Sequence, residues 1–191
     1  MPYVLLSALI VALDQCVKTL VTRRLMMLGA SAPLLPGVLH LILVHNSGAS
    51  WGILSGRTTL LLAVTGVVCL ALLAILLLDR PAAPLGRLSL AFILGGAVGN
   101  AVDRFVQGYV IDMLETEFMS FPVFNVADCF ITVGAALLCI WVLTDEKKNR
   151  LQRQEASRLR WEKSREAAKA DAALAEETRR EFEGNDDVSG R

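Results

Sequence analysis

Two aspartates stand where solvation alone does not explain a carboxylate. Asp112 lies in Gly108-Tyr109-Val110-Ile111-Asp112-Met113, with apolar neighbours on both sides, and Asp128 closes Phe124-Asn125-Val126-Ala127-Asp128. Two carboxylates at close range cannot easily ionise together, so they can share one proton. Such a pair can take a proton from water while its protonated member polarises a carbonyl, which is what amide hydrolysis needs. Asp128 also has a structural reading. Asn125 is a good helix N-cap, which puts Asp128 three residues on, where an acid completes a capping box. That reading does not account for Asp112.

Further polar residues interrupt apolar runs. Asp14 and Lys18 are one helical turn apart and can pair along a helix face, which would soften insertion into a membrane. Asn100 and Arg104 share a face, with Asp103 beside them, just after Gly95-Gly96-Ala97-Val98-Gly99, a stripe that lets another helix approach closely. Packing plus an arginine snorkelling to the interface is one reading, and a scaffold that orients a nearby carboxylate is the other. Ionisable groups inside a span cost about 2.5–3.5 kcal/mol each at mid-bilayer. Their clustering toward one end of three spans points to a single site.

Other chemistries fit less well. His40 and His45 are five apart, poor spacing for one helix face, and no HExxH accompanies them. Cys16, Cys69, Cys129 and Cys139 sit in apolar stretches without CxxC spacing, so they read as small apolar membrane residues, not as a disulfide framework or zinc site. No P-loop or dinucleotide fingerprint occurs. No metal or other cofactor is expected.

The elements that must position these groups follow from composition. Of 191 residues 54% are hydrophobic, and the mean hydropathy of +0.50 is that of a membrane protein. The formal charge is zero, with no basic footprint for nucleic acid. Thr58–Leu78 is 21 residues without a charge, enough to cross a hydrocarbon core of ~30 Å. Together with three interrupted runs it gives four transmembrane helices, at roughly 3–22, 58–78, 87–106 and 125–144. The N-terminal run lacks a preceding Lys or Arg, so it reads as the first span and not as a cleaved signal. Arg80, Arg87, Lys147, Lys148, Arg150 and Arg153 outnumber Arg23, Arg24 and Arg57, which places both termini in the cytoplasm. Residues 23–57 and 107–124 then face outward. Val38–Val44 has the β-branching of a short strand between turn signals, so a small sheet on the outer surface is expected. Residues 145–191 pair charges at helical spacing, Arg158 with Glu162 and Glu176 with Arg180, and read as a charged cytoplasmic tail, partly helical or disordered. The fold class is thus an all-α membrane protein with a small outward sheet, divided into residues 1–144 and a tail at 145–191.

Four blocks in order now carry a resemblance. They are Asp14-Gln15-Cys16-Val17-Lys18; Asn46-Ser47-Gly48-Ala49-Ser50-Trp51-Gly52; Gly95 through Asp112; and Phe124 through Asp128. Over roughly residues 3–144 the chain resembles the bacterial lipoprotein signal peptidases, the type II signal peptidases. The resemblance implies an aspartyl endopeptidase of the bacterial inner membrane that removes the signal peptide of a prolipoprotein just before a diacylglyceryl-modified cysteine. By position, Asp112 and Asp128 correspond to its catalytic pair. Asp14, Lys18, Asn46, Gly48, Asn100, Asp103, Arg104, Asn125 and Ala127 fall on motif positions that support or contact the site. The outer loop is similar to one that clasps substrate with a small sheet and an interfacial helix. The implied partners are prolipoproteins and membrane lipid, with a monomeric enzyme and an active site toward the outer leaflet. Met113, where an aromatic is usual, Ser50-Trp51, where a smaller residue and Phe are usual, and the tail depart from the pattern. The alternative from another class is a small proton-coupled transporter or channel using Asp14, Lys18 and Asp103 as a relay.

Overall fold

A computed structural model describes residues 1–28, 31–48, 54–79 and 83–186. The chain divides into two units, Met1–Val142 and Leu143–Arg191. In the first, helix α1 (Pro2–Leu28) leads into a hairpin of β1 (Ser31–Leu35) and β2 (Leu39–Asn46). Helix α2 (Thr58–Ala74) follows and ends in a π-helical turn at Ile75–Asp79; then come α3 (Pro84–Gln107), β3 (Val110–Thr116) and the start of α4 (Val126–Asp186). All four helices are long and apolar enough to cross a membrane.

The helix ends follow local chemistry. Pro84 occupies the first turn of α3, where its missing N–H costs nothing. Gly108 ends the helix in the left-handed region at φ 83°, its N–H returning to the Arg104 carbonyl at 3.1 Å. Helix α1 runs six residues past the expected end at 22, since Thr22, Arg23 and Arg24 bring no Gly or Pro to stop it.

The sheet has the order β1-β2-β3, antiparallel throughout. The strand expected at 38–44 is β2, displaced to 39–46. Its register with β3 sets Val44 opposite Asp112 and Asn46 opposite Val110, so Asn46 and Asp112 are diagonal neighbours. At the far end Glu117 receives the Gly37 N–H and meets His40 Nδ1, each at 2.7 Å, clamping the hairpin turn to the end of β3. The His40 contact holds the Glu117 carboxyl below its usual range. Met113, the departure noted after Asp112, is fully buried in the core. Ser50-Trp51 lies outside the described residues. The described part of that outer loop holds the hairpin and a turn at 54–56, but not the interfacial helix implied there.

Helices α1, α3 and α4 meet through glycines. A Cβ on Gly96 would fall on the Ala127 carbonyl oxygen, and one on Gly99 would stand 2.8 Å from Asp14 Oδ2. Backbone-to-backbone approach of this kind lets short polar side chains span the gap between helices.

In the second unit α4 continues as helix to Asp186. Residues 145–183 hold neither Gly nor Pro and are rich in Ala, Glu, Lys and Arg, all strong helix formers. Arg158 meets Glu162 at 3.0 Å, as its spacing predicts. The Glu176–Arg180 pair falls on side chains outside those described.

Candidate active site

Helix α4 begins with the capping box. Asn125 Oδ1 accepts the Asp128 N–H at 2.9 Å, and Asp128 Oδ2 accepts the Asn125 N–H at 3.2 Å. With its oxygen committed to the helix, Asn125 turns its amide nitrogen the other way. It donates to Asp112 Oδ1 at 2.7 Å, to Asn100 Oδ1 at 3.0 Å and to the Ile111 carbonyl at 3.3 Å. The capping reading and the catalytic reading are therefore compatible: the cap that starts α4 also ties Asp128 to the strand carrying Asp112.

Asn100 closes the link. Its Oδ1 faces two donors, Asn125 and Lys18 Nζ at 3.1 Å, so its Nδ2 points to Asp128 Oδ1, at 2.8 Å. Asp112 Oδ2 accepts a further bond from Asn46 Nδ2 at 2.9 Å, while Asn46 Oδ1 accepts the Gly48 N–H at 2.9 Å. Asp112 is 2% exposed. Burial, reinforced by the nearby Asp128 charge against the pull of the Asn46 and Asn125 amides, pushes its carboxyl up to about 6.

Behind the two aspartates lies a buried ionic frame. Lys18 Nζ sits 2.8 Å from both Asp14 Oδ2 and Asp103 Oδ2, so the pair expected within α1 is a triad reaching α3. The three side chains are 2%, 0% and 3% exposed. Each acid also holds backbone: Asp14 Oδ1 accepts the Ala127 N–H at 3.0 Å and Asp103 Oδ2 the Ile111 N–H at 3.1 Å. These two amides immediately precede Asp128 and Asp112. The frame thus fixes the backbone beside both aspartates.

Every residue singled out from sequence is drawn into this network: Asp14, Lys18, Asn46, Asn100, Asp103, Asn125 and Ala127 as above. Arg104 Nη2 donates to the Gly48 carbonyl at 3.0 Å. The sequence reading passed over Gln15 as a site residue. Its Nε2 donates to Asp103 Oδ1 at 2.8 Å, to the Gly99 carbonyl at 3.2 Å and to Asp14 Oδ2 at 3.3 Å, locking the triad. A carboxamide in an apolar helix, directly after a buried acid, was the signal available. Cys129, read as a small apolar residue in the membrane, lines the cavity next to Asp128.

That cavity measures about 960 Å³. Asn46, Asn100, Arg104, Asp112 and Asp128 form its polar end, and the remaining wall, from Leu61 to Phe124 and Ile131, is mostly apolar. The form suits an elongated apolar chain with one polar linkage presented to the carboxylates. Among the described residues no group of three or more His, Cys, Asp or Glu side chains is placed to hold a metal ion.

Residues 6–144 match the Signal peptidase (SPase) II family. The chain is 44% identical over 148 residues to a lipoprotein signal peptidase of Brevibacillus brevis, covering 78% of this chain and 99% of that one. It is 39% identical over 145 residues to the lipoprotein signal peptidase of Enterococcus faecalis, covering 76% and 89%. A bacterial membrane enzyme solved at 1.9 Å by the in meso method superposes with a TM-score of 0.67 at 32% identity, covering 75% of this chain and 94% of that one. A second, solved at 2.3 Å, gives 0.69 at 30% identity, covering 77% and 90%.

Proposed function

The chain belongs to the signal peptidase II family, and on that premise we propose that it works as an aspartyl endopeptidase with Asp112 and Asp128 as its catalytic pair. It is a multi-pass membrane peptidase that removes signal peptides from prolipoproteins. The observation that carries the aspartyl reading is the bridge between the two carboxylates. Asn100 and Asn125 hydrogen-bond to each other and each to one aspartate, and both aspartates open on one cavity.

On this reading a signal-peptide helix docks in the cavity among the spans. Its scissile carbonyl comes to the polar end, next to a cysteine bearing diacylglyceryl. One aspartate takes a proton from the attacking water while the other donates to the carbonyl oxygen, and the roles reverse as the amine departs. Lys18, Asp14, Asp103 and Gln15 hold the backbone on which the pair is mounted, Asn46 holds Asp112, and Arg104 ties the outer loop to α3 through Gly48. We place the site toward the outer leaflet of the bacterial plasma membrane, with both termini cytoplasmic, the enzyme monomeric and residues 145–191 an appendage to a 1–144 peptidase domain. The positive charge flanking the inner loop and tail supports that orientation. The transporter alternative has no support among the named relatives, which are peptidases.

The test is cleavage of a diacylglyceryl-modified prolipoprotein by purified wild type, Asp112→Asn and Asp128→Asn. Each substitution keeps the shape and removes the acid–base group, so turnover should fall by about 10²–10⁴-fold or more. Wild-type rates from either variant would overturn the pair.

A further inference from the structure

The surroundings of the two carboxylates are unequal, and the inequality has a chemical consequence. Asp128 stands in the first turn of α4, where unsatisfied backbone N–H groups and the helix dipole favour an anion, and its Oδ2 accepts one of those N–H groups as part of the cap. An ionised carboxylate serves that backbone N–H better than a neutral acid would. Asp112 stands on a strand, outside any helical turn, and is buried where Asp128 is only partly so. Its partners are two neutral amides, Asn46 Nδ2 on Oδ2 and Asn125 Nδ2 on Oδ1.

The charges facing the pair set how many protons it holds. Helix α1 contributes Asp14 and Lys18, α3 contributes Asp103 and Arg104, and β2 contributes His45, which is exposed and stacked on Tyr109 at 4.3 Å. Helix α2 lines the cavity with Leu61 and Thr65, neither charged. The two cations and two anions of α1 and α3 cancel. No net positive charge is left to hold both catalytic carboxylates ionised in a half-apolar cavity, so one of them keeps a proton.

We infer that Asp112 is the member that carries this proton and acts first as the acid, that Asp128 takes the proton from water, and that Asn46 is a positioning residue that sets how firmly Asp112 holds its proton. This rests on the aspartyl reading above and assigns the roles within it. The rise of the Asp112 carboxyl to about 6 agrees with the assignment. In the forward step the proton on Asp112 passes to the carbonyl oxygen as water oxygen bonds to the carbonyl carbon, and the water proton passes to Asp128. Collapse then breaks the C–N bond, with that second proton leaving on the amine and the first returning from the hydroxyl to Asp112.

Asn46 gives a test with opposite signatures. Its N–H stabilises ionised Asp112, so its removal makes Asp112 hold the proton to higher pH. If Asp112 must be protonated to act, activity is lost as pH rises through its pKa, and the alkaline limb of kcat/KM moves up. If Asp112 must be ionised, the acidic limb moves up instead. The two apparent values belong to the coupled pair, but a change beside one carboxyl moves the step in which that carboxyl loses its proton.

The experiment is the pH profile of kcat/KM for prolipoprotein cleavage by wild type, Asn46→Ala and Asn46→Asp, alongside Asp112→Asn. Asn46→Asp keeps the acceptor for the Gly48 N–H, exchanges the donor for an anion, and gives a second, nearly isosteric chance of a folded variant. The expected result is an upward shift of the alkaline limb by about one pH unit for Asn46→Ala and more for Asn46→Asp, with the acidic limb in place. A shift of the acidic limb, or of neither, overturns the assignment. An active Asp112→Asn overturns the aspartyl reading itself, which keeps the two failures apart.

Discussion

Replacing Lys18 by methionine removes the one cation inside the ionic triad while keeping the volume of its stem. Lys18 is 2% exposed and lies 2.8 Å from each of two carboxylates that are themselves 0% and 3% exposed, and 3.1 Å from Asn100 Oδ1. Methionine leaves Asp14 and Asp103 facing one another without a counter-ion in a site closed to water. Breaking a buried pair by removing one partner costs about 3–5 kcal/mol, because the remaining charge is buried uncompensated. A compensating change separates this from loss of packing. Lys18→Met combined with Asp103→Asn removes one positive and one negative charge, so the triad keeps its net charge. The amide oxygen introduced by Asp103→Asn can still accept the Ile111 N–H. The double variant should therefore be more stable than Lys18→Met alone, by about 1–3 kcal/mol, a coupling expected only between contacting charges. Thermal unfolding in detergent, read by circular dichroism for wild type, the two singles and the double, measures it. A Lys18→Met cost below about 1 kcal/mol, the range of a solvated pair, would refute the buried triad. A double variant worse than the single would refute it equally.

Two further outcomes follow from the geometry. Gly96→Ala places a methyl against the Ala127 carbonyl, one residue from Asp128, and backbone cannot rotate aside as a side chain can. The start of α4 must shift, and a displacement near 1 Å at the reacting groups should lower kcat by about 100-fold, read in the prolipoprotein assay with the protein still folded. Deleting residues 145–191 should leave kcat/KM within about twofold, since all site groups lie within Met1–Val142 and distant segments act additively. A larger loss in the truncated, folded protein would make the tail part of the enzyme.

The parts legible in sequence were those with a local signal. Four spans, the Asn125 cap and the Asp14–Lys18 pair each depend on residues within a few turns of one another, so periodicity and spacing exposed them. Strand β3 carried no such local signal. Val110–Thr116 is short, and its pairing partner β2 lies more than sixty residues earlier, so its identity is fixed by non-local contact. The same holds for the site. That Lys18 reaches Asp103, that Asp14 holds the Ala127 N–H, and that Asn46 reaches Asp112 are contacts between elements. Spacing along the chain carries no record of these contacts; clustering at one end of three spans pointed to a single site, and only the resemblance added Asn46, Gly48 and Ala127 to it.

The buried polar network then explains why a costly frame can persist in an apolar protein. Lys18 alone, or Asp14 alone, would be expensive in a span, and each pair within α1 or α3 would leave donors and acceptors unmet. Assembled, Lys18 serves Asp14, Asp103 and Asn100; each acid in turn accepts a backbone N–H next to Asp128 or Asp112. Folding is thereby coupled to site assembly: the ionic groups reach their partners only when α1, α3, β3 and the start of α4 are all in place. The arrangement that satisfies the frame is the same one that sets Asp112 and Asp128 at the polar end of the cavity. A substitution that loosens the frame should therefore lower stability and turnover together, whereas Asp112→Asn and Asp128→Asn, which keep the side-chain shape and give up one accepted hydrogen bond each, should lower turnover far more than stability.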